Sequence, residues 1–163
     1  MKFRLLPVVA AAALLAACST ASEDAGSKSA TGNTAPTTAG KTAPAPGSVE
    51  EFKVVVGDRV LFGFDQYNLS AEGQAVLKNQ AAWLNKYTKY AVVVEGHADE
   101  RGTREYNLAL GERRANAVKA FLGAQGVKAD RLKVVSYGKE RPECGDSTEA
   151  CWAKNRRGVS VLQ

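Results

Sequence analysis

Apolar and polar positions follow two different rhythms across residues 51–163, and each rhythm predicts an element. Arg59 to Phe64 (RVLFGF) is a short apolar-rich run that ends in Asp65-Gln66-Tyr67-Asn68, so it reads as a strand leaving through a turn. After Ser70, which stands where a helix N-cap belongs with Glu72 in the first turn, Val76, Leu77, Ala81, Leu84 and Tyr87 recur at helical intervals. That spacing predicts a helix to about Thr88. Ala91 to Gly96 (AVVVEG) reads as a buried strand, followed by the polar loop His97 to Gly102. Thr103 can cap a second helix, with Glu105 near its positive end, that turns Ala115, Val118 and Leu122 inward and ends near Gln125, before Gly126. Leu132 to Tyr137 reads as a third strand, Glu149 to Asn155 as a short helix and Gly158 to Leu162 as a final strand. The 113 residues from 51 to 163 are enough for one core of two layers. The expected fold class is α+β, a mixed four-stranded sheet with the two long helices on one face.

Neither rhythm extends upstream of position 51. Lys2 and Arg4 precede Leu5 to Ala17, which are 13 uncharged, mostly apolar residues, against the roughly 20 a helix needs to cross the hydrocarbon core of a bilayer. A basic start and a short apolar run make a secretory leader. Leu15-Ala16-Ala17-Cys18 resembles the bacterial lipoprotein cleavage box, which implies a cut before Cys18 and acylation of its thiol and new amino group with chains such as palmitate. An ordinary cut at an Ala-x-Ala site is the alternative. Stable anchoring requires two or more acyl chains, and Ser19 in place of an aspartate implies, by the same resemblance, sorting to the outer membrane. Of the 32 residues from Ser19 to Glu50, 25 are Ala, Gly, Ser, Thr or Pro and none is aromatic. Such a stretch cannot form a core, and as a flexible, disordered tether it spans about 30 Å on average and roughly 100 Å when stretched. The expected organisation is therefore a leader over 1–17, an acylated Cys18 with its tether over 18–50, and a domain over 51–163.

Composition changes this picture little, and charge changes it more. The chain has 163 residues, 45% hydrophobic and 24% charged, with a net charge of +5. Loss of the leader removes Lys2 and Arg4 and leaves a net of +3. With no compact run of Lys and Arg and no recognisable nucleic-acid motif, nucleic acid is not an expected partner. Three cysteines are an odd number, and acylation of Cys18 leaves Cys144 and Cys151, seven positions apart. A disulfide suits an oxidising compartment; two free thiols or half of a metal site remain open. His97 is the single histidine, so a zinc site of ordinary ligand count would need carboxylates and no metal or cofactor is expected.

The run from Gly96 through Val118 (GHADERGTREYNLALGERRANAV) carries the chain's most specific signal, continued by Ser136 to Pro142 (SYGKERP), Asn155-Arg156-Arg157 and, upstream, Phe62-Gly63-Phe64-Asp65. Together they resemble the OmpA C-terminal family of peptidoglycan-binding domains over essentially all of residues 59–163. Ala98 stands where threonine is common, and many members lack the Cys144 and Cys151 pair. The resemblance implies an OmpA-like fold and a non-covalent hold on the meso-diaminopimelate of the peptidoglycan stem peptide, whose free end carries an ammonium and a carboxylate on one carbon. In the family, the positions matching Asp99 and Arg114 meet that zwitterion, the first accepting from the ammonium and the second forking onto the carboxylate. Helix geometry agrees. Asn107, Leu110 and Arg114 fall at i, i+3 and i+7, and Thr103 lies one turn nearer the Asp99 loop, so these residues could floor a groove. Phe64 and Asp65 would supply another wall by resemblance, and Arg101 a contact at the rim. Arg113, about 100° around the helix from Arg114, is expected in a surface ion pair, and Arg156 and Arg157 in support of the sheet end or a ligand loop.

The resulting expectation is a non-catalytic lipoprotein anchor that links the outer membrane to the wall, faces the periplasm and supports outer-membrane constriction at division. For a family member with such a leader and tether, the resemblance implies the partners TolB in the periplasm and TolA in the inner membrane. The alternatives are an OmpA-like lipoprotein outside the Tol system, or an enzyme acting on peptidoglycan. The last lacks a nucleophile with a positioned base, and Asp99 and Glu100 are poorly placed for a two-carboxylate mechanism.

Overall fold

The computed structural model describes residues 43–163. The expected leader, Cys18 and all but the last eight positions of the tether lie outside the described residues. Ser48 caps a short helix, α1 (Val49–Glu51), its hydroxyl accepting from the Glu51 N–H at 3.0 Å, and α1 runs directly into a π-helical turn, Phe52–Gly57. Strand β1 (Arg59–Leu61) and helix α2 (Ala71–Lys86) follow, then β2 (Val92–His97), α3 (Arg104–Ala124), β3 (Leu132–Gly138), α4 (Glu149–Asn155) and β4 (Arg157–Leu162). Two of the three helices after β1 start at the expected caps, Ser70 and Thr103, and the third at Thr148, which was not anticipated; the three hydroxyls accept from the N–H groups of Gly73, Tyr106 and Cys151.

The strands form one mixed sheet in the order β1-β4-β2-β3. β4 is antiparallel to both β1 and β2, while β2 and β3 are parallel and joined through α3. Parallel neighbours need such a crossover, and α3 is long enough to provide it. Val92 and Val94 of β2, Leu132 of β3 and Val60 of β1 meet Leu77, Ala81 and Leu84 of α2 and Ala115, Val118 and Leu122 of α3 in one core. The α+β expectation holds, with both long helices packed on the sheet. β1 is shorter than the predicted run to Phe64, because after Phe62, whose N–H still bonds the Arg156 carbonyl, the chain turns away to make a wall of the cleft described below.

The helices approach the sheet most closely at one point. A Cβ on Gly96 of β2 would collide with the Gly111 carbonyl of α3, and one on Gly111 would collide with the Ser136 hydroxyl of β3. Only glycine permits that approach. It draws the first half of α3 down beside the ends of β1 and β2, and Ser136 Oγ donates to the Leu108 carbonyl across the same contact at 2.7 Å.

A domain boundary drawn at residue 50 or 51 falls inside packed structure. Gly47, with φ +74°, lies against the Tyr87 ring, its carbonyl accepts from Tyr90 Oη at 2.8 Å, and Glu51 accepts from Trp83 Nε1 at 2.7 Å. Periodicity gave no hint of this segment, since Val54 and Val55 of its π turn face solvent. At the far end of the sequence, Cys144 and Cys151 are joined in a disulfide with Cα atoms 5.2 Å apart, tying α4 to the loop before it. Among the described residues no helix is long and apolar enough to cross a membrane.

Candidate functional site

One cleft opens where three chain segments converge. The turn after β1 supplies Phe64 and Asp65, the loop between β2 and α3 supplies Asp99, Arg101 and Gly102, and α3 supplies Tyr106, Asn107, Leu110 and Arg114. Seven of the eight expected site residues are thus brought together. Thr103 is not among those that line the cleft, because its hydroxyl is spent capping α3 on the Tyr106 N–H, 3.2 Å away.

Arg114 has no exposed surface. A buried guanidinium is tolerated only when its donors find acceptors, and three do. Nε donates to the Gln66 carbonyl at 2.8 Å, Nη1 to the His97 carbonyl at 2.8 Å and Nη2 to the Gly63 carbonyl at 3.1 Å. Burial pushes its pKa down to about 10, opposed mainly by the Asp99 charge, so the group stays cationic at neutral pH. A guanidinium has five N–H donors. Among the described residues these three bonds leave one N–H on each terminal nitrogen, and the two nitrogens have the spacing of a carboxylate's two oxygens.

Asp99 is 5% exposed, and its acceptor sites are occupied from within the chain. Arg101 donates to Oδ1 from its backbone N–H at 3.1 Å and from Nε at 3.2 Å, and to Oδ2 from Nη2 at 2.6 Å. Arg156 adds Nη1 to Oδ2 at 3.3 Å and reaches Glu149 Oε1 from Nη2 at 2.6 Å. Burial raises the Asp99 pKa, but the bonds from Arg101 and Arg156 outweigh it and hold the carboxyl below its ordinary value. It is a carboxylate at neutral pH. The Arg101 guanidinium is itself stacked between the rings of Phe64 and Trp152, 4.1 Å from each centroid. Trp152 comes from α4, the helix tied down by the disulfide, so that helix braces the Asp99 loop.

The remaining residues shape the cleft. Asn107, 1% exposed, donates Nδ2 to the Arg101 carbonyl at 2.8 Å and pins the loop, while Leu110 gives an apolar wall. Asp65, at φ +55°, accepts from the Tyr106 hydroxyl across the mouth. Sequence reasoning missed Tyr106 and the braces Trp152 and Glu149; Tyr106 stands one turn before Leu110, a position the i, i+4 rule could have supplied. Arg156 has the supporting role expected of it. His97, the single histidine, points elsewhere: its ring is buried against Tyr137, 5.6 Å between centroids, and does not line the cleft.

A mixed sheet backed by two helices, with a buried arginine and a caged aspartate at the strand ends, defines an OmpA-like α+β domain. Residues 61–156 match the OmpA family, and the chain belongs to it. It is 54% identical over 123 residues to the peptidoglycan-associated lipoprotein of Mesorhizobium japonicum, covering 76% of this chain and 73% of that protein. The peptidoglycan-associated lipoprotein of Haemophilus influenzae is 44% identical over 154 residues, 94% of either chain. The crystal structure of the peptidoglycan-associated lipoprotein from Burkholderia pseudomallei superposes with a TM-score of 0.64 at 42% identity, covering 65% of this chain and 90% of that one.

Proposed function

We propose that this chain is an outer-membrane lipoprotein whose domain holds peptidoglycan non-covalently by the zwitterionic end of diaminopimelate, linking membrane to wall within the Tol-Pal system. The observation that carries the reading is Arg114, buried, cationic and keeping two N–H donors uncommitted in a cleft shared with Asp99. The ligand carboxylate takes the Arg114 fork. Its ammonium takes the place of the Arg101 Nη2 bond to Asp99, since Arg101 is the more exposed of the two arginines on that carboxylate. Asn107 and Leu110 floor the cleft, and Phe64 and Asp65 close it on the β1 side. The names of its relatives support the same reading, as does the lipoprotein-like sequence around Cys18. TolB and TolA are the proposed protein partners.

Charge-assisted hydrogen bonds contribute about 1.5–3 kcal/mol each, so a single stem peptide is held reversibly. Many anchored copies facing a polymer gain avidity from effective concentration.

The test is co-sedimentation of the full chain with purified sacculi. Asp99→Ala and Arg114→Lys are each expected to weaken binding roughly 10- to 100-fold. Lysine keeps the charge at position 114 but loses the fork, and melting curves of both variants control for folding. Undiminished sedimentation of both would sink the assignment, and release of soluble muropeptides would favour the enzyme reading instead.

A further inference from the structure

Two carboxylates face one guanidinium at the rim of the cleft. Arg101 bonds Asp99 at 2.6 Å through Nη2, while its Nη1 lies 3.8 Å from Glu149 Oε2 on α4, about 1 Å short of a good hydrogen bond. Among the described residues its guanidinium makes hydrogen bonds to Asp99 alone. The Arg101 side chain is 32% exposed and that of Glu149 64%, so water reaches both. Arg156 is placed differently. Its side chain is 7% exposed and is held at once by the Phe62 carbonyl at 3.1 Å, by Glu149 at 2.6 Å and by Asp99 at 3.3 Å. That arginine is fixed, and it links the two carboxylates. Glu100 also acts on Arg101, but its Oε1 already accepts from Trp152 Nε1 at 2.9 Å. Arg113 lies over Tyr67, 5.8 Å from the ring centroid, rather than in the ion pair expected of it, and does not line the cleft.

We propose that Arg101 is an internal stand-in for the ligand ammonium, holding Asp99 while the cleft is empty and moving onto Glu149 when the ammonium arrives. The inference rests on the cleft being the diaminopimelate site and adds what selects the ligand there. The aromatic rings make the move possible. Phe64 and Trp152 each lie 4.1 Å from the guanidinium, and a flat cation between two faces can slide in its own plane and keep both contacts. Charge balances at both ends of the move, because Asp99 exchanges one cation for another and Arg101 exchanges one carboxylate for another. No buried charge is left uncompensated. A ligand with a carboxylate but no ammonium brings nothing to exchange at Asp99, so Arg101 stays where it is and the cleft selects the zwitterion. Glu149, which does not line the cleft, is the positioning residue that receives Arg101.

The test is calorimetric titration of the full chain with the tripeptide L-Ala-γ-D-Glu-meso-diaminopimelate, in wild type, Arg101→Gln, Glu149→Gln and the double variant. Both side chains are at the surface, where substitutions change stability little. Arg101→Gln removes the competitor and is expected to tighten binding roughly three- to tenfold. Glu149→Gln keeps an oxygen for Arg156 but removes the charge that receives Arg101, and is expected to weaken binding roughly two- to fivefold. In the Arg101→Gln background the same change should have no effect, because no cation is left to receive. Weaker binding by Arg101→Gln would make Arg101 a ligand contact and overturn the stand-in. Unchanged binding by Glu149→Gln, or a loss that persists without Arg101, would overturn it equally, the latter by making Glu149 a support of Arg156 alone. A wild type that fails to bind the tripeptide at all would instead overturn the reading of the cleft, and the stand-in with it.

Discussion

Arg114 heads the fully buried side chains by volume, and its hydrogen-bond partners are carbonyl oxygens, which leave its charge uncancelled. A salt bridge at that position would neutralise the cation; three carbonyls solvate it and keep it available to an anion. His97 shows the opposite treatment of a titratable group. Its ring is buried with both nitrogens unpartnered among the described residues, and burial followed by the nearby Arg157 charge pushes its pKa from 6.5 down to about 4. Glu95, Tyr137, Arg141 and Arg157 surround it. The folded state therefore holds this ring neutral while the unfolded chain protonates it, so the stabilisation is complete above pH 6.5 and declines as pH falls toward 4. The full loss is about 3 kcal/mol. Melting temperatures of His97→Gln should fall less steeply than wild type across that window; parallel curves would refute the assignment. The Asp99 and Arg114 pair was legible from sequence, because a long motif fixed residue types. The bond from Arg156 to Asp99 was not, since a contact spanning 57 positions leaves no local trace.

Among the elements, those after β1 were readable because their signals are local. Caps at Ser70 and Thr103 and the 3.6-residue period of α2 and α3 act over a turn or two. The segment from Ser48 to Gly57 was missed because its order comes from packing on Trp83, Tyr87 and Tyr90 rather than from its own pattern. The crossing of β2 and α3 depends on two glycines that carry no period at all. Gly96→Ala is expected to destabilise the domain by about 3 kcal/mol, because its methyl meets the Gly111 backbone, which cannot rotate aside as a side chain can. Urea unfolding measures this, and a loss well under 1 kcal/mol would show that α3 can lift without penalty.

At the scale of the whole molecule, the proposed work is division of labour along the chain: a lipid holds one end, a tether gives reach and the domain grips a polymer. Each part can then be removed without the others. Cys18→Ser is expected to move the protein from the membrane pellet to the soluble fraction while sacculus sedimentation persists. Retention in membranes cleared of peptidoglycan would refute the anchor.

Taken by itself, the sequence determined the α+β class, most element positions and the residue types able to meet a zwitterion, because periodicity, caps and motif identity are short-range properties. Only the tertiary structure decided that Arg114 is buried and keeps two donors open and that Arg156 joins Arg101 on Asp99. Those outcomes join positions separated by up to 51 residues at Arg114 alone. They depend on where β1 turns away and how closely α3 meets β2, which no local pattern encodes.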